Sequence, residues 1–169
     1  MNDEQLRQTL ARLKSGEKEA LAEIYDGLIT PLYTIALRVT GNRQLAEEAV
    51  QELFLKLTAT PPRELSHPRA YLFAAARNAA IDILRREPSH ENVDDHHDLA
   101  APEREDTSDV AEALALLPEE QRSVVTLRIN GGLKFREIAQ ATHTPLGTVL
   151  WRYNRAISSL KSILNGGKA

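Results

Sequence analysis

Apolar positions along the 169-residue chain recur at helical intervals, and no segment alternates convincingly as a strand. Leu6, Leu10, Leu13, Leu21, Ile24, Tyr25 and Leu28 follow this spacing, interrupted at Ser15-Gly16, which marks a turn and a new helix start. The pattern predicts two short opening helices, then a third after Pro31 over "LYTIALRVTGN", closed by Gly41. A fourth helix is predicted over "LAEEAVQELFLKL", ended by "TATPPRELSHP". Leu45, Ala49, Val50, Leu53, Phe54 and Leu57 form its apolar stripe, and Glu47, Glu48, Gln51 and Glu52 point to other faces. The alanine-rich "RAYLFAAARNAAIDILRR" is a fifth, strongly helix-prone segment.

The pattern lapses over residues 87–106, "EPSHENVDDHHDLAAPERED", which carry many acids, two prolines and little to bury. Such composition predicts a flexible connector. Beyond it come a first helix, a second that starts at Pro118 and stops at Asn130-Gly131-Gly132, and a short third from about Lys134. The last is "PLGTVLWRYNRAISSLK", with Thr144 and Pro145 as start signals and the tail "NGGKA" expected to fray. Leu146, Val149, Leu150, Tyr153, Ala156, Ile157 and Leu160 share its core side. The opposite side collects Thr148, Trp151, Arg152, Arg155 and Ser159, so the tryptophan projects where a covering partner is expected.

Composition sharpens this division. The 42% hydrophobic content supports packed cores, and no apolar run is long enough to cross a bilayer or to serve as a signal peptide, so a cytoplasmic protein without direct membrane insertion is expected. With no cysteine, disulfides, thiolate zinc sites and thiol-based redox sensing within the chain are excluded. The net charge of −3 is unevenly spread. Residues 1–87 carry twelve basic and twelve acidic side chains, residues 88–117 one and nine, and residues 118–169 eight and three. The acidic middle hides a basic C-terminal unit.

Within that unit, "FREIAQAT", a tight "HTP" connection and a longer basic helix form a helix-turn-helix pattern, whose second helix enters the DNA major groove. Arg152 and Arg155 can donate to phosphate or guanine edges, and Thr148 can meet a thymine methyl or a phosphate. An ordinary helical hairpin with solvated basic residues is the alternative reading of this stretch alone.

Four segments taken together resemble, in order, the motifs of the extracytoplasmic-function (ECF) sigma factors, small bacterial subunits that direct RNA polymerase to promoters. They are "LKSGEKEALAEIYDGLITPLYTIALRVTGN", "AEEAVQELFLKL", "HPRAYLFAAARNAAIDILRR" and "LALLPEEQRSVVTLRINGGLKFREIAQATHTPLGTVLWRYNRA". The resemblance covers most of the chain except the linker. It implies an all-α protein of two small helical domains: sigma domain 2 over residues 1–87 and helix-turn-helix sigma domain 4 over residues 108–165, joined by an acidic flexible linker over residues 88–107. It further implies the partners: RNA polymerase core through its beta-prime coiled coil and beta subunit, promoter DNA, and an anti-sigma factor.

By the same resemblance, Glu47, Glu48, Gln51 and Glu52 bind polymerase, with Glu48 and Ala49 where the family usually has aspartate and leucine. Arg63, Ser66, His67, Arg69, Tyr71, Asn78, Arg85 and Arg86 serve the promoter's −10 element, where an extruded base needs a pocket and the backbone needs cations. Tyr71 stands where tryptophan is common, and is read either as a contact or as core; Ala74 replaces a residue often basic. Arg77, four residues from Phe73 and from Ile81, has two readings, a structural ion pair or a strand contact. Lys134, Arg136, Thr148, Trp151, Arg152 and Arg155 serve the −35 element. His143 holds a turn position often filled by glycine, and histidine tolerates left-handed geometry better than most residues. Leu150 and Trp151 replace what are often a basic and a small polar residue; Leu150 is expected to cap the core, and Trp151 to touch thymine methyls or anchor an inhibitory partner.

No glycine-rich phosphate loop or nucleophile–base pair is present, so neither an enzyme nor a cofactor is expected. His90, His96 and His97 with Asp94 and Asp95 supply metal-ligand types, but linker composition accounts for them, and no metal is expected. A tethered polyanion that competes with DNA or threads a basic polymerase channel is the more natural role for this segment. The rival functions are a helix-turn-helix regulator that binds DNA alone and an adaptor that binds polymerase without selecting promoters.

Overall fold

The fold is that of a computed structural model, which describes residues 1–86 and 106–166. Among the described residues it is all-helical: α1 (Asp3–Lys14), α2 (Glu19–Thr40), α3 (Arg43–Ala59), α4 (Pro68–Arg86), α5 (Asp106–Ala115), α6 (Glu119–Ile129), α7 (Phe135–Ala141) and α8 (Leu146–Gly166). Residues 88–105 of the expected linker, with His90, His96, His97, Asp94 and Asp95 in it, lie outside the described residues; its last two positions, Asp106 and Thr107, instead begin α5.

Local signals set most helix ends. Asn2 and Gln5 close a reciprocal capping box on α1, with the Asn2 side chain accepting from the Gln5 amide at 2.8 Å and the Gln5 side chain accepting from the Asn2 amide at 3.0 Å. Gly41 ends α2 in the left-handed region at φ 65°, which costs glycine nothing. Asn42 then caps α3 by accepting from the Leu45 amide at 3.0 Å.

One expectation is corrected here. Pro31 does not begin a new helix; α2 runs unbroken through it for 22 residues. An interior proline removes one backbone hydrogen bond and strains the preceding turn, at a cost of about 3 kcal/mol. Burial on both sides of the proline opposes that cost: Ile24, Leu28, Leu32, Ile35 and Val39 are all essentially inaccessible. Each such side chain contributes about 1.5–3 kcal/mol when fully buried. The C-terminal end of α8 also departs from expectation, since helix persists through Asn165 and Gly166.

Helices α2, α3 and α4 pack around a core that includes Leu32, Ile35, Leu53, Leu72, Phe73 and Ile83, and α1 closes one side with Leu6 and Leu10. That core does not stop at the end of α4. Val124 and Leu127 of α6, Leu133, Ile138 of α7 and Val149 of α8 belong to the same apolar cluster. The second helical unit therefore lies against the first, with Gly131 at the seam. A Cβ at Gly131 would fall 3.0 Å from Cδ2 of Phe73 and 2.5 Å from the Leu127 carbonyl oxygen. A smaller cluster of Leu114, Leu117, Val125 and Ala156 joins α5, α6 and α8.

Candidate nucleic-acid interface

Helices α7 and α8 form the helix-turn-helix, and its turn is built at His143. His143 has φ 50°, the only left-handed residue other than glycine among those described. The Thr144 amide donates back to the Ala139 carbonyl at 2.9 Å, and the Thr144 hydroxyl donates to the Thr142 carbonyl at 3.1 Å. The hydroxyl expected to cap α8 ties the turn to itself. Phe135 and Tyr153 then pack edge to face with ring centroids 4.9 Å apart, and the Arg128 guanidinium covers Phe135, bracing α7 on α8.

On α8, Val149 and Ala156 are buried as the periodicity requires, and Tyr153, Ile157 and Leu160 are half-buried. Leu150 is not a core cap: it is 38% exposed and extends the surface around Trp151, because it lies at the edge of the apolar arc. Trp151 is 60% exposed, with the Arg155 guanidinium 5.9 Å from its ring centroid. Thr148 is half-buried, while Lys134, Arg136 and Arg155 are exposed. Arg152 is drawn aside, its Nη2 lying 3.1 Å from the Glu120 carboxylate of α6.

The −10 candidates gather on the loop after α3 and along α4. Arg63 and Ser66 are exposed on the loop. Arg7 of α1 fixes that loop from below, donating to the carbonyls of Leu65 at 3.3 Å and Ser66 at 3.0 Å. Asp3, one turn earlier, accepts from the Arg69 amide at 2.9 Å at the start of α4. Asp3 and Arg7 therefore share one face of α1 and position the loop together, a role invisible in the sequence, where they are ordinary charged residues of an opening helix. The Arg69 guanidinium turns inward over Phe73, 5.3 Å from the ring centroid. Tyr71 is exposed rather than core. Asn78 is exposed and accepts from Arg77 at 2.8 Å.

Arg77 is partly inside. Burial pushes its pKa down, and the nearby Glu119 carboxylate opposes that shift. Arg85 lies 3.6 Å from Glu119, and His67 Nδ1 lies 3.5 Å from Glu137. Three −10 candidates or their neighbours thus face acidic groups of the second helical unit across the seam. Arg86 points the other way and donates to Glu52 at 2.8 Å, a hydrogen bond that raises the arginine pKa. Glu52 is accordingly occupied within the first unit, whereas Glu47, Glu48 and Gln51 are exposed on α3.

No described helix is long and apolar enough to cross a membrane.

Comparison with known proteins matches both helical units. The family model for Sigma-70 region 2 matches residues 24–89, and the model for Sigma-70, region 4 matches residues 108–160. The chain is 31% identical over 163 residues to the ECF RNA polymerase sigma factor SigL of Mycobacterium tuberculosis (strain ATCC 25618 / H37Rv), covering 89% of this chain and 92% of that one. It is 29% identical over 175 residues to SigK of Mycobacterium ulcerans (strain Agy99), covering 95% and 94%. Its fold is similar to that of CnrH in complex with the cytosolic domain of CnrY, with TM-score 0.76, 21% identity, and 95% and 97% coverage. It is also similar to the sigma factor RpoE in complex with the anti-sigma factor NepR from Bartonella quintana, with TM-score 0.70, 22% identity, and 85% and 97% coverage. Two helical units in family order, a helix-turn-helix in the second, and relatives matched over nearly their whole length lead to one conclusion: the chain belongs to the ECF RNA polymerase sigma factor family and acts in transcription initiation.

Proposed function

We propose that the two helical units divide promoter recognition between them, residues 1–87 serving the −10 element and core polymerase, and residues 108–165 the −35 element. The observation that carries this reading is the surface of α8. Trp151 and Arg155 project from the helix that follows a left-handed helix-turn-helix turn, with Lys134 and Arg136 exposed at the preceding helix. A cationic, partly aromatic helix face presented in this way suits a DNA groove. On α3, the exposed Glu47, Glu48 and Gln51 offer an anionic surface for a basic coiled coil of the polymerase, with Glu52 held back by Arg86. Arg63, Ser66 and His67, on a loop fixed by Arg7, are placed to meet an unpaired strand.

The protein is, on this reading, a non-enzymatic cytoplasmic initiation factor. The exposed Leu150 and Trp151 favour an anti-sigma partner as well, because an apolar patch on a soluble protein is normally covered by something. The seam between the units bears on promoter binding: Glu119 and Glu137 of the second unit lie beside Arg85 and His67 and compete with DNA for them.

Run-off transcription with bacterial core polymerase tests the reading. Promoter-specific starts in the absence of any other sigma factor are the expected result. DNA binding without starts identifies a stand-alone regulator, and polymerase binding without starts identifies an adaptor; either overturns the proposal.

A further inference from the structure

Asp3, His67 and Glu137 lie far apart in sequence and meet where α1, the loop before α4, and α7 converge. One ligand-capable atom from each falls within 4.8 Å of the others. His67 Nδ1 is 3.5 Å from Oε1 of Glu137 and 4.0 Å from Oδ2 of Asp3. Both carboxylates are pre-oriented by their second oxygens. Oδ1 of Asp3 accepts the Arg69 amide at 2.9 Å, and Oε2 of Glu137 accepts the Lys134 amide at 2.8 Å. Metal sites use outer hydrogen bonds of this kind to aim their ligands.

The spacing suits a small divalent ion. Zinc binds imidazole nitrogen and carboxylate oxygen at about 2.0–2.2 Å, which places tetrahedral ligand atoms about 3.4 Å from one another. The His67–Glu137 separation is already there, the His67–Asp3 separation needs about 0.6 Å of closure, and the Asp3–Glu137 pair, within 4.8 Å, needs at most about 1.4 Å. Charge points the same way, because two carboxylates face a single imidazole and a divalent ion balances both. His67 is half exposed, which leaves solvent to complete the coordination.

We infer that Asp3, His67 and Glu137 form a zinc-type divalent metal site that fastens the second helical unit onto the first. Two ligands come from the first unit and one from the helix-turn-helix, so the complete set exists only while the units are packed together. An ion that binds this arrangement and not the separated one favours it by mass action. The ion also holds His67 away from promoter DNA; that consequence rests on the proposed function, whereas the binding and the closure do not.

The test uses the full chain with His90, His96 and His97 replaced by alanine, so that linker histidines take up no metal. Calorimetric titration with zinc chloride is expected to show one ion per chain, with affinity reduced at least tenfold by Glu137→Gln, which keeps the acceptor for Lys134, and lost in His67→Ala. Small-angle scattering is expected to give a smaller radius of gyration with zinc than with chelator, a difference absent in Glu137→Gln. Zinc affinity unchanged by Glu137→Gln, or no uptake at all, overturns the site; uptake with an unchanged radius overturns its role in closure. Neither readout involves polymerase or DNA, so failure of the promoter reading leaves both measurements standing. In run-off transcription Glu137→Gln keeps basal activity and removes zinc inhibition; inhibition that persists in the variant overturns the regulatory consequence.

Discussion

The guanidinium of Arg152 reaches back from the recognition helix to the carboxylate of Glu120, 3.1 Å away at the start of α6. The arginine side chain is 22% exposed and the glutamate 64%, so the pair straddles the surface. Its partner is therefore one a DNA phosphate or base can displace.

Releasing Arg152 should strengthen DNA binding. Exposed ion pairs contribute about 0.2–1 kcal/mol, so Glu120→Gln is expected to leave thermal stability nearly unchanged while raising affinity for a −35 duplex at low salt. Fluorescence anisotropy of the two proteins on the same duplex checks this. Equal affinities would place Arg152 outside the contact.

Removing Arg152 itself distinguishes two kinds of contact. If it reads a base edge, Arg152→Ala costs about 1–3 kcal/mol and relaxes preference at one −35 position; if it holds a phosphate, affinity falls alike on all sequences. Competition with single-base variants of the duplex separates these outcomes, and the salt slope should shrink in the phosphate case.

Trp151 is the chain's single tryptophan, so its fluorescence reports on one site. With the indole 60% exposed, emission is expected in the range of solvated tryptophan, with efficient quenching by acrylamide. Trp151→Ala should change stability by no more than about 0.5 kcal/mol, as surface substitutions generally do. Its effect belongs instead to binding: lost preference for a thymine-containing site if the indole meets DNA, or weakened inhibitor capture with normal transcription if it anchors a partner. Blue-shifted, unquenchable emission contradicts both.

On α3, Glu47→Lys, Glu48→Lys and Gln51→Lys together should weaken capture of core polymerase while circular dichroism shows unchanged helix content. Glu52→Lys belongs in a separate variant, since it also breaks the Arg86 hydrogen bond. Undiminished capture by the triple variant would remove α3 as the docking face.

Gly131→Ala tests the seam. The new Cβ would sit 2.5 Å from a backbone oxygen and 3.0 Å from the Phe73 ring, so something must shift. Overpacking of this kind costs about 1–3 kcal/mol, measurable by thermal or denaturant unfolding. An unchanged transition midpoint would contradict the close approach of Gly131 to both the Leu127 carbonyl and the Phe73 ring.

The sequence by itself determined the helices, the helix-turn-helix and its outward face. Periodicity reports which side of its own helix a residue occupies, and the buried Val149 and Ala156 opposite the exposed Trp151 follow from that alone. The turn at His143 was legible for the same reason, since left-handed geometry is a local backbone property. Pro31 misled because its penalty is local, whereas the burial that outweighs it comes from α1, α3 and α4 packing on both halves of α2. Only the tertiary structure could decide the partners of the charged candidates. Arg152 with Glu120, Arg86 with Glu52, and His67 with Asp3 and Glu137 are pairings between elements, fixed by where helices cross rather than by spacing along any one of them. A single shared core joining the two units brings those groups together, and no pattern within either unit records it.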